Sequence, residues 1–354
     1  MPGNESGKVD ITTYISTSGR THTTLPLAIT SICMQTYKPK EFILYLDGNN
    51  PDLKGDPLYD YLFGLLTEKG ILWKVGYGEG KGQVLNHQRA LREAENEWLH
   101  RMDDDNILEP DTLEKLVRNI KPKVGAVAGL VLHPNRPVQQ LPSWFSHNKI
   151  EYCEDPHQLN IQWFKQTGIK YPDHLYSTFI YRKEASKHGY RMDLSPVGHR
   201  EESFFTHEMK RNGWELILDP EAITWHFRYN TGGIRSASHH TKENFDHDAM
   251  LFLKQLNSWG VRLKNKLVVV LDNGLGDHLA FRRMLPEIYE EDMVIACCYP
   301  EVFKNFKVKI ISIHEAKQVY GENLDRWHIY KAMWDWNWKG SIVDAYRRMY
   351  ANCN

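Results

Sequence analysis

Three consecutive aspartates, Asp103, Asp104 and Asp105, carry the strongest local signal for chemistry in the sequence. They follow a β-like run at 98–102, which predicts that they stand at the end of a strand. Adjacent carboxylates repel one another, and a hard divalent cation such as Mg²⁺ or Mn²⁺ relieves that repulsion because it binds carboxylate oxygens. From the triplet alone, a solvated acidic turn is an equal alternative.

Polar residues also follow two other β-like runs, and they favour the metal over the solvated turn. Thr17 and Ser18 follow the run at 9–15, and Asp47 follows the run at 41–46. Nucleotide sites in open α/β sheets lie outside the carboxyl ends of the strands, where such residues meet. The three strand ends therefore predict a nucleotide site at one edge of a sheet.

Alternating elements must position these residues. The β-like runs are 9–15, 41–46, 98–102 and 124–132. Between the first two, Leu25, Ile29 and Ile32 recur at spacings of three and four, which is typical of a helix that buries one face. The alternation predicts an α/β sheet with helices packed on its faces.

A second α/β unit is predicted after a connecting helix at about 240–260. It has a buried-strand run at 267–271, a glycine turn at 272–277 and a helix after the turn. The turn is not a full dinucleotide fingerprint, because Leu279 stands where the third small residue belongs, so NAD is disfavoured. We expect two domains, 1–262 and 263–354.

Composition excludes several classes of protein. The chain of 354 residues has 44 Lys and Arg against 45 Asp and Glu, a formal net charge of -1. That balance supplies no broad positive field, so no nucleic-acid partner is expected. The longest aliphatic run is too short to span a membrane and no signal-peptide pattern opens the chain, which predicts a cytoplasmic protein without a transmembrane segment.

Three segments resemble a known family. Segment 14–50 contains Gln-Thr and Pro-x-Glu marks, 82–113 contains the aspartate triplet, and 198–227 contains two glutamates followed by a Pro and a His. In this order they resemble a GT-A glycosyltransferase of the family-2 type, from about residue 9 to 262. The resemblance implies the nucleotide-diphospho-sugar transferase fold, a mixed and mostly parallel sheet between helices.

The resemblance also implies which residues bind the donor. Thr17 and Asp47 match the positions that hold the nucleotide base, although Leu46 replaces the first acid of the family's usual Asp-Asp pair. Asp103 or Asp104 should face the ribose. Asn86 and Arg89 match positions that the family places beneath the nucleotide, and for both a structural role in the helix is the alternative. The full set expected to bind the nucleotide sugar is Thr17, Ser18, Arg20, Asp47, Asn86, Arg89, Asp103, Asp104 and Arg235.

The same resemblance assigns a metal site and a base. Asp105 is the expected ligand of Mn²⁺ or Mg²⁺, with Asp103 and His226 as further ligands. Glu202, with Glu201 beside it, stands in the acidic catalytic motif; Glu202 would remove the proton of the acceptor hydroxyl as it attacks the anomeric carbon. A helix amino-terminal acid stabilised by the dipole is the alternative.

The carboxyl-terminal unit resembles part of another glycosyltransferase type. Segment 273–288 is similar to the opening of a GT-B, heptosyltransferase-like, family-9-type domain, but only about 90 residues follow Lys266. The unit therefore looks like the amino-terminal half of such an enzyme, a Rossmann-like half-domain. We expect it to serve acceptor binding or assembly, and the Trp-rich tail at 327–338 offers an interface for a homo-oligomer.

The interpretation is an inverting, metal-dependent glycosyltransferase of the hexosyltransferase type. It would move a sugar from a nucleotide-diphosphate donor, with a UDP-sugar favoured, to a hydroxyl acceptor such as a glycan. A catalytically silent scaffold that binds nucleotide sugars or glycans would bind the donor without turnover. A metal-dependent phosphoesterase would release phosphate from a phosphodiester without any sugar acceptor.

Overall fold

The described residues form two compact units. The computed structural model describes residues 9–48, 51–134, 137–138, 161–233, 240–258, 268–289, 293–320 and 329–353. The first unit contains the described residues up to Leu256, and the second contains those from Asn257. The predicted boundary near 262 falls within 259–267, outside the described residues, and stays a prediction.

The first unit is built on an eight-stranded sheet. Its strands are β1 Ile11–Thr17, β2 Glu41–Leu46, β3 Leu72–Tyr77, β4 Trp98–Asp103, β5 Asn106–Leu108, β6 Val124–Leu132, β7 Phe179–Arg182 and β8 Glu215–His226. Their order is β3-β2-β1-β4-β7-β6-β8-β5. The first four are parallel to one another, whereas β7 is antiparallel to both of its neighbours and β5 is antiparallel to β8. The prediction of a mixed, mostly parallel sheet is confirmed.

Helices pack against the sheet, which explains why several of its strands are apolar and buried. They are α1 Leu25–Cys33, α2 Pro57–Glu68, α3 Gln83–Glu93, α4 Thr112–Val117, α5 Glu201–Arg211 and α6 Lys242–Ser258. Every residue of β2 and β6 is buried, as expected for strands covered on both faces. On α1, Leu25, Ile29 and Ile32 are buried in the same core, so the predicted apolar face is confirmed.

The second unit has a smaller sheet of three parallel strands. Its strands are β9 Val268–Leu271, β10 Val294–Cys297 and β11 Lys309–Ile311, in the order β11-β10-β9. Its helices are α7 Leu275–Ile288, α8 Ile313–Tyr320, α9 Ile329–Asp335 and α10 Ile342–Cys353. The predicted strand and helix are present, although α7 begins at Leu275, inside the predicted turn at 272–277, and the likeness to a GT-B half stays a prediction. In the described part of the chain no helix is long and apolar enough to cross a membrane.

Candidate active site

A pocket opens at the carboxyl ends of the central parallel strands. Thr17 at the end of β1, Asp47 just after β2 and Asp103 at the end of β4 all line it. Glu202 in the first turn of α5 and His226 at the end of β8 line it too. The edge predicted from the three polar strand ends is therefore a real concavity, and two later elements complete it.

Asp104 and Asp103 have different environments although they are adjacent. Asp104 is buried, and its two oxygens are taken by the Thr17 hydroxyl at 2.6 Å and by Arg20 Nη1 at 2.6 Å. Burial raises its pKa to about 6, against the opposing charge of Arg20. The side chain of Asp103 keeps 26% of its surface exposed and accepts a hydrogen bond from the Ser177 hydroxyl at 2.6 Å. Asp103 is thus the more accessible of the two to a ligand.

Asp105 lies beside His226 because of strand pairing. Strand β5 runs antiparallel to β8 and sets Asn106 opposite His226, so the preceding Asp105 meets the same imidazole. The Asp105 Oδ1 atom is 3.2 Å from His226 Nε2, and its Oδ2 accepts the backbone N–H of Tyr229 at 3.2 Å. Burial alone would raise the pKa of Asp105, but His226 and Arg20 outweigh it and hold that pKa at about 2.

This pair of side chains fits a divalent cation in part. Two neighbouring ligands of one octahedral ion lie about 3 Å apart, close to the 3.2 Å between Asp105 Oδ1 and His226 Nε2. Across the described ranges, no three His, Cys, Asp or Glu side chains are grouped so that they could hold a metal ion. The two residues could therefore hold Mn²⁺ or Mg²⁺ only if a bound ligand or water supplied the other donor atoms.

Arg20 ties the aspartate triplet to the segment after β8. Its Nη1 atom is 2.6 Å from Asp104 Oδ1 and 3.0 Å from Asp105 Oδ2. Its Nε and Nη2 atoms donate to the carbonyl oxygens of Thr231 at 3.2 Å and Tyr229 at 2.9 Å. The guanidinium, 7% exposed, thus neutralises two buried carboxylates and holds a loop at the rim of the pocket.

Gly232 allows that loop to approach Arg20. Its φ is +70°, and a Cβ atom there would lie 2.5 Å from Arg20 Cγ and 2.5 Å from the Gly19 carbonyl oxygen. Gly213 has a φ of +86°, but a Cβ there would meet nothing within 4 Å. Gly213→Ala therefore isolates the cost of a left-handed backbone, about 1 to 2 kcal/mol.

We expect Gly232→Ala to lower the free energy of unfolding by about 1 to 3 kcal/mol more than Gly213→Ala does, because it adds a clash to the same backbone strain. Chemical denaturation of both variants measures the difference. Equal losses in the two variants would show that Arg20 and the loop can separate at no cost.

The two adjacent glutamates at the start of α5 face different surroundings. Glu201 is fully buried, with Oε1 2.5 Å from Arg101 Nη1, and it does not line the pocket. Burial raises the pKa of Glu201 well above its usual range, although Arg101 opposes the shift. Glu202 is half-buried and lines the pocket, and no described residue forms a hydrogen bond or ion pair with its carboxylate. Of the two, Glu202 alone is open to a substrate.

The family assignment follows from comparison with known proteins. The family model described as "Glycosyl transferase family 2" matches residues 11–189, half of the chain. The chain belongs to this family. The matched range includes β1, β2 and the aspartate triplet, whereas Glu202 and His226 lie beyond it. No curated protein matches the chain.

One solved structure supports the fold of this family-2 glycosyltransferase, and two others are less similar. Residues 1–349 of S. aureus TarS, in complex with UDP-GlcNAc, match with a TM-score of 0.51 and 17% identity, over 70% of this chain and 67% of that one. The mannosyltransferase PcManGT from Pyrobaculum calidifontis, with GDP-Man and Mn²⁺, matches at 0.46 and 16%, over 72% and 73%. GalNAc-T7, with UDP, GalNAc and Mn²⁺, matches at 0.49 and 13%, over 89% and 58%. At this identity the TarS match shows the fold alone, and the two lower scores carry no argument.

The remaining donor-site predictions for the glycosyltransferase divide by element. Ser18 and Asp47 line the pocket, and the Asp47 carboxylate accepts the backbone N–H groups of Gly80 at 3.0 Å and Gly82 at 3.1 Å. Asp47 therefore holds the loop before α3 as well as facing the pocket. Arg235 lies outside the described residues.

The two residues predicted on α3 do not line the pocket. The Asn86 side chain is fully buried and donates to the Ser16 hydroxyl at 3.0 Å. Arg89 donates to the Tyr77 carbonyl at 2.7 Å and lies over the Tyr45 ring at 4.8 Å. These contacts are those of the structural alternative, in which both residues hold α3 against the strands.

Among the lining residues of the glycosyltransferase that were not predicted are two buried, titratable ones. Arg101 in β4 and His87 in α3 are each 2% exposed and line the floor of the pocket. Burial and the nearby Arg101 lower the pKa of His87 well below its usual range, so the imidazole is neutral. The signal for Arg101 was present in the sequence, because an arginine inside a buried-strand run needs a buried partner.

Proposed function

We propose that this protein is an inverting, metal-dependent glycosyltransferase that transfers a sugar from a nucleoside-diphosphate donor to a hydroxyl group. The observation that carries the proposal is the composition of one pocket. It is lined by the aspartate triplet and His226, and also by Glu202, whose carboxylate forms no hydrogen bond or ion pair with any described residue. A transferase of this kind needs an anchor for the diphosphate and a base for the acceptor.

The donor side is assigned to the strand ends. Thr17 and Asp47 would contact the nucleotide base, and Asp103, the more exposed acid, would contact the ribose. Asp105 and His226 would hold Mn²⁺ or Mg²⁺ together with diphosphate oxygens. When bound, the cation neutralises charge on the leaving diphosphate.

The acceptor side is assigned to the first turn of α5. The acceptor oxygen attacks the anomeric carbon from the face opposite the diphosphate, the new carbon–oxygen bond forms as the bond to phosphate oxygen breaks, and the configuration inverts. The hydroxyl proton passes to Glu202, whose carboxylate is not engaged by a hydrogen bond or ion pair within the described part of the chain. Because one pocket would hold the donor, the acceptor and Glu202 in a reactive orientation, less entropy is lost on reaching the transition state and the rate increases.

The substrate class and the role of the second unit extend the proposal. The TarS structure contains UDP-GlcNAc, so UDP-sugars are the first donors to test. A glycan hydroxyl is the proposed acceptor. We assign the second unit, with its separate three-stranded sheet, to acceptor binding or to assembly of a homo-oligomer.

The full-length protein tests the function directly. We expect it to release nucleoside diphosphate from at least one member of a panel of UDP- and GDP-sugars when Mn²⁺ is present, and to stop when EDTA is added. NMR of the product would show the anomeric configuration opposite to that of the donor. Binding of every donor without release would support the silent scaffold, and phosphate release from a simple phosphodiester would support the phosphoesterase.

A further inference from the structure

A buried ion pair includes Glu201, the residue that precedes the proposed base in the sequence. Arg101 belongs to the central strand β4, and Glu201 is the first residue of α5, immediately before Glu202. The two side chains are 2% and 0% exposed, with 2.5 Å between Arg101 Nη1 and Glu201 Oε1. The pair thus joins the strand that ends in the aspartate triplet to the helix that carries the proposed base.

The pair is costly for the fold. Removing two charges from water is expensive, and an apolar pair of similar size stabilises a core as well or better. The Oε2 atom of Glu201 has no hydrogen-bond partner in the described part of the chain, so even the existing contacts do not satisfy the carboxylate fully. Stability alone is therefore a poor explanation for two charges at this place.

Two carboxylates that line the pocket, those of Asp103 and Glu202, also act on Arg101. After Glu201, its next acidic neighbour by distance is Asp103, whose Oδ1 atom is 3.6 Å from Arg101 Nη2. Although burial lowers the pKa of Arg101, the charges of Glu201 and then of Glu202 outweigh it and raise that pKa well above the usual range. Because Arg101 is already paired with Glu201, its guanidinium does not form an ion pair with the Glu202 carboxylate.

Because Glu201 and Glu202 are neighbours on α5, the ion pair also determines the direction in which the Glu202 side chain points. Successive residues of a helix point about 100° apart, so fixing Glu201 inward turns Glu202 towards another side. The same turn is also held by Thr206, whose hydroxyl donates to the Glu202 carbonyl at 2.8 Å and accepts the Leu175 backbone N–H at 2.8 Å. The first turn of α5 has little freedom to rotate.

We propose that the Arg101–Glu201 ion pair positions Glu202, so that Glu201 acts through its neighbour and not on the substrate. This inference rests on the proposed role of Glu202 as base. Glu201 has two effects: it anchors the first turn of α5, and it keeps the guanidinium of Arg101 from capturing the Glu202 carboxylate.

The positioning role is tested by measuring whether a second substitution, at Arg101, restores the kcat that is lost in Glu201→Gln. In Glu201→Gln the Arg101 guanidinium loses its charged partner and turns to Asp103 and Glu202. We therefore expect kcat to fall about 10- to 100-fold, which is a smaller decrease than the loss of a general base would cause. In Arg101→Met combined with Glu201→Gln no guanidinium remains, and kcat should recover at least about threefold over the single variant. A purely structural pair predicts the opposite, since the second substitution would add damage.

The readouts separate position from folding. Donor KM and the Kd of UDP with Mn²⁺ should change far less than kcat in Glu201→Gln, because Glu201 does not line the pocket and Asp103 is only one of several proposed donor contacts. Glu208→Gln, the same change later on α5, is the matched control and should leave kcat unchanged. If Glu201→Gln does not fold, Glu201→Asp keeps the charge, retracts the carboxylate by one methylene and should give intermediate turnover.

Several outcomes overturn the inference. Normal turnover of Glu201→Gln would overturn it, and if that variant does not fold, normal turnover of Glu201→Asp would. A double variant that is slower than Glu201→Gln would also overturn it. Parallel losses of kcat, UDP affinity and melting temperature would show that the pair only supports the fold. An inactive Glu202→Gln with a normal Glu201→Gln rejects the positioning role alone, whereas an active Glu202→Gln rejects the proposed function and with it this inference.

Discussion

Replacing Glu202 with glutamine is expected to lower kcat by about 100-fold or more while donor affinity hardly changes. The amide keeps the volume of the side chain but cannot accept the acceptor's proton, and general-base catalysis contributes on this scale. The donor anchors are on the strand ends and β8, so the Kd of UDP with Mn²⁺ should not move. Steady-state kinetics combined with calorimetry gives both numbers.

Glu208→Gln is again the matched control, because the same neutralisation later on α5 should leave turnover at the wild-type value. A Glu202→Gln enzyme that turns over normally would refute the base assignment. Loss of both folding and donor binding in that variant would support the alternative in which Glu202 only stabilises the helix amino terminus.

Replacing Asp105 with asparagine is expected to weaken Mn²⁺-dependent binding of UDP by at least about 100-fold. Even residues that only support a metal ligand cost 10- to 100-fold in affinity when they are changed, and here a proposed ligand loses its charge. The binding of UDP without metal should change far less, because Thr17 and Asp47 remain. Titrations of UDP with Mn²⁺ present and with EDTA present separate the metal-dependent from the metal-independent part of the binding.

Asp105 also has structural partners, so its variant needs a check on folding. The carboxylate contacts Arg20 and His226, and its neutralisation leaves Arg20 with Asp104 alone. Asp60→Asn, an exposed aspartate of α2, is the control for the chemical change. A folded Asp105→Asn protein that binds UDP with undiminished Mn²⁺ dependence would remove Asp105 from the site.

Much of this site could be predicted from local sequence. A β-like run followed by polar residues identifies a strand end, and parallel strands bring such ends to one edge of the sheet. Thr17, Asp47 and Asp103 were placed together in this way, and all three line the pocket. The α/β class and the helix of Leu25 and Ile29 follow from periodicity, which depends only on neighbours along the chain.

Contacts between distant segments were decided by the tertiary structure. The pairing of β5 with β8 sets His226 beside Asp105, and no local pattern specifies which strands pair. Arg20 appeared in the sequence only as a donor-binding residue. The folded chain also makes it the counter-charge of Asp104 and the anchor of the loop at Tyr229.

What the sequence determined by itself is the kind of element and the chemistry available at its end: strands that end in acids, and a helix that begins with two glutamates. The tertiary structure decided which way each side chain points. The rotation of α3 directs Arg89 away from the pocket, and the burial of Arg101 draws Glu201 inward and leaves Glu202 open. The reason is physical: periodicity is a local property, whereas orientation depends on the partner that buries each face, which is distant in sequence.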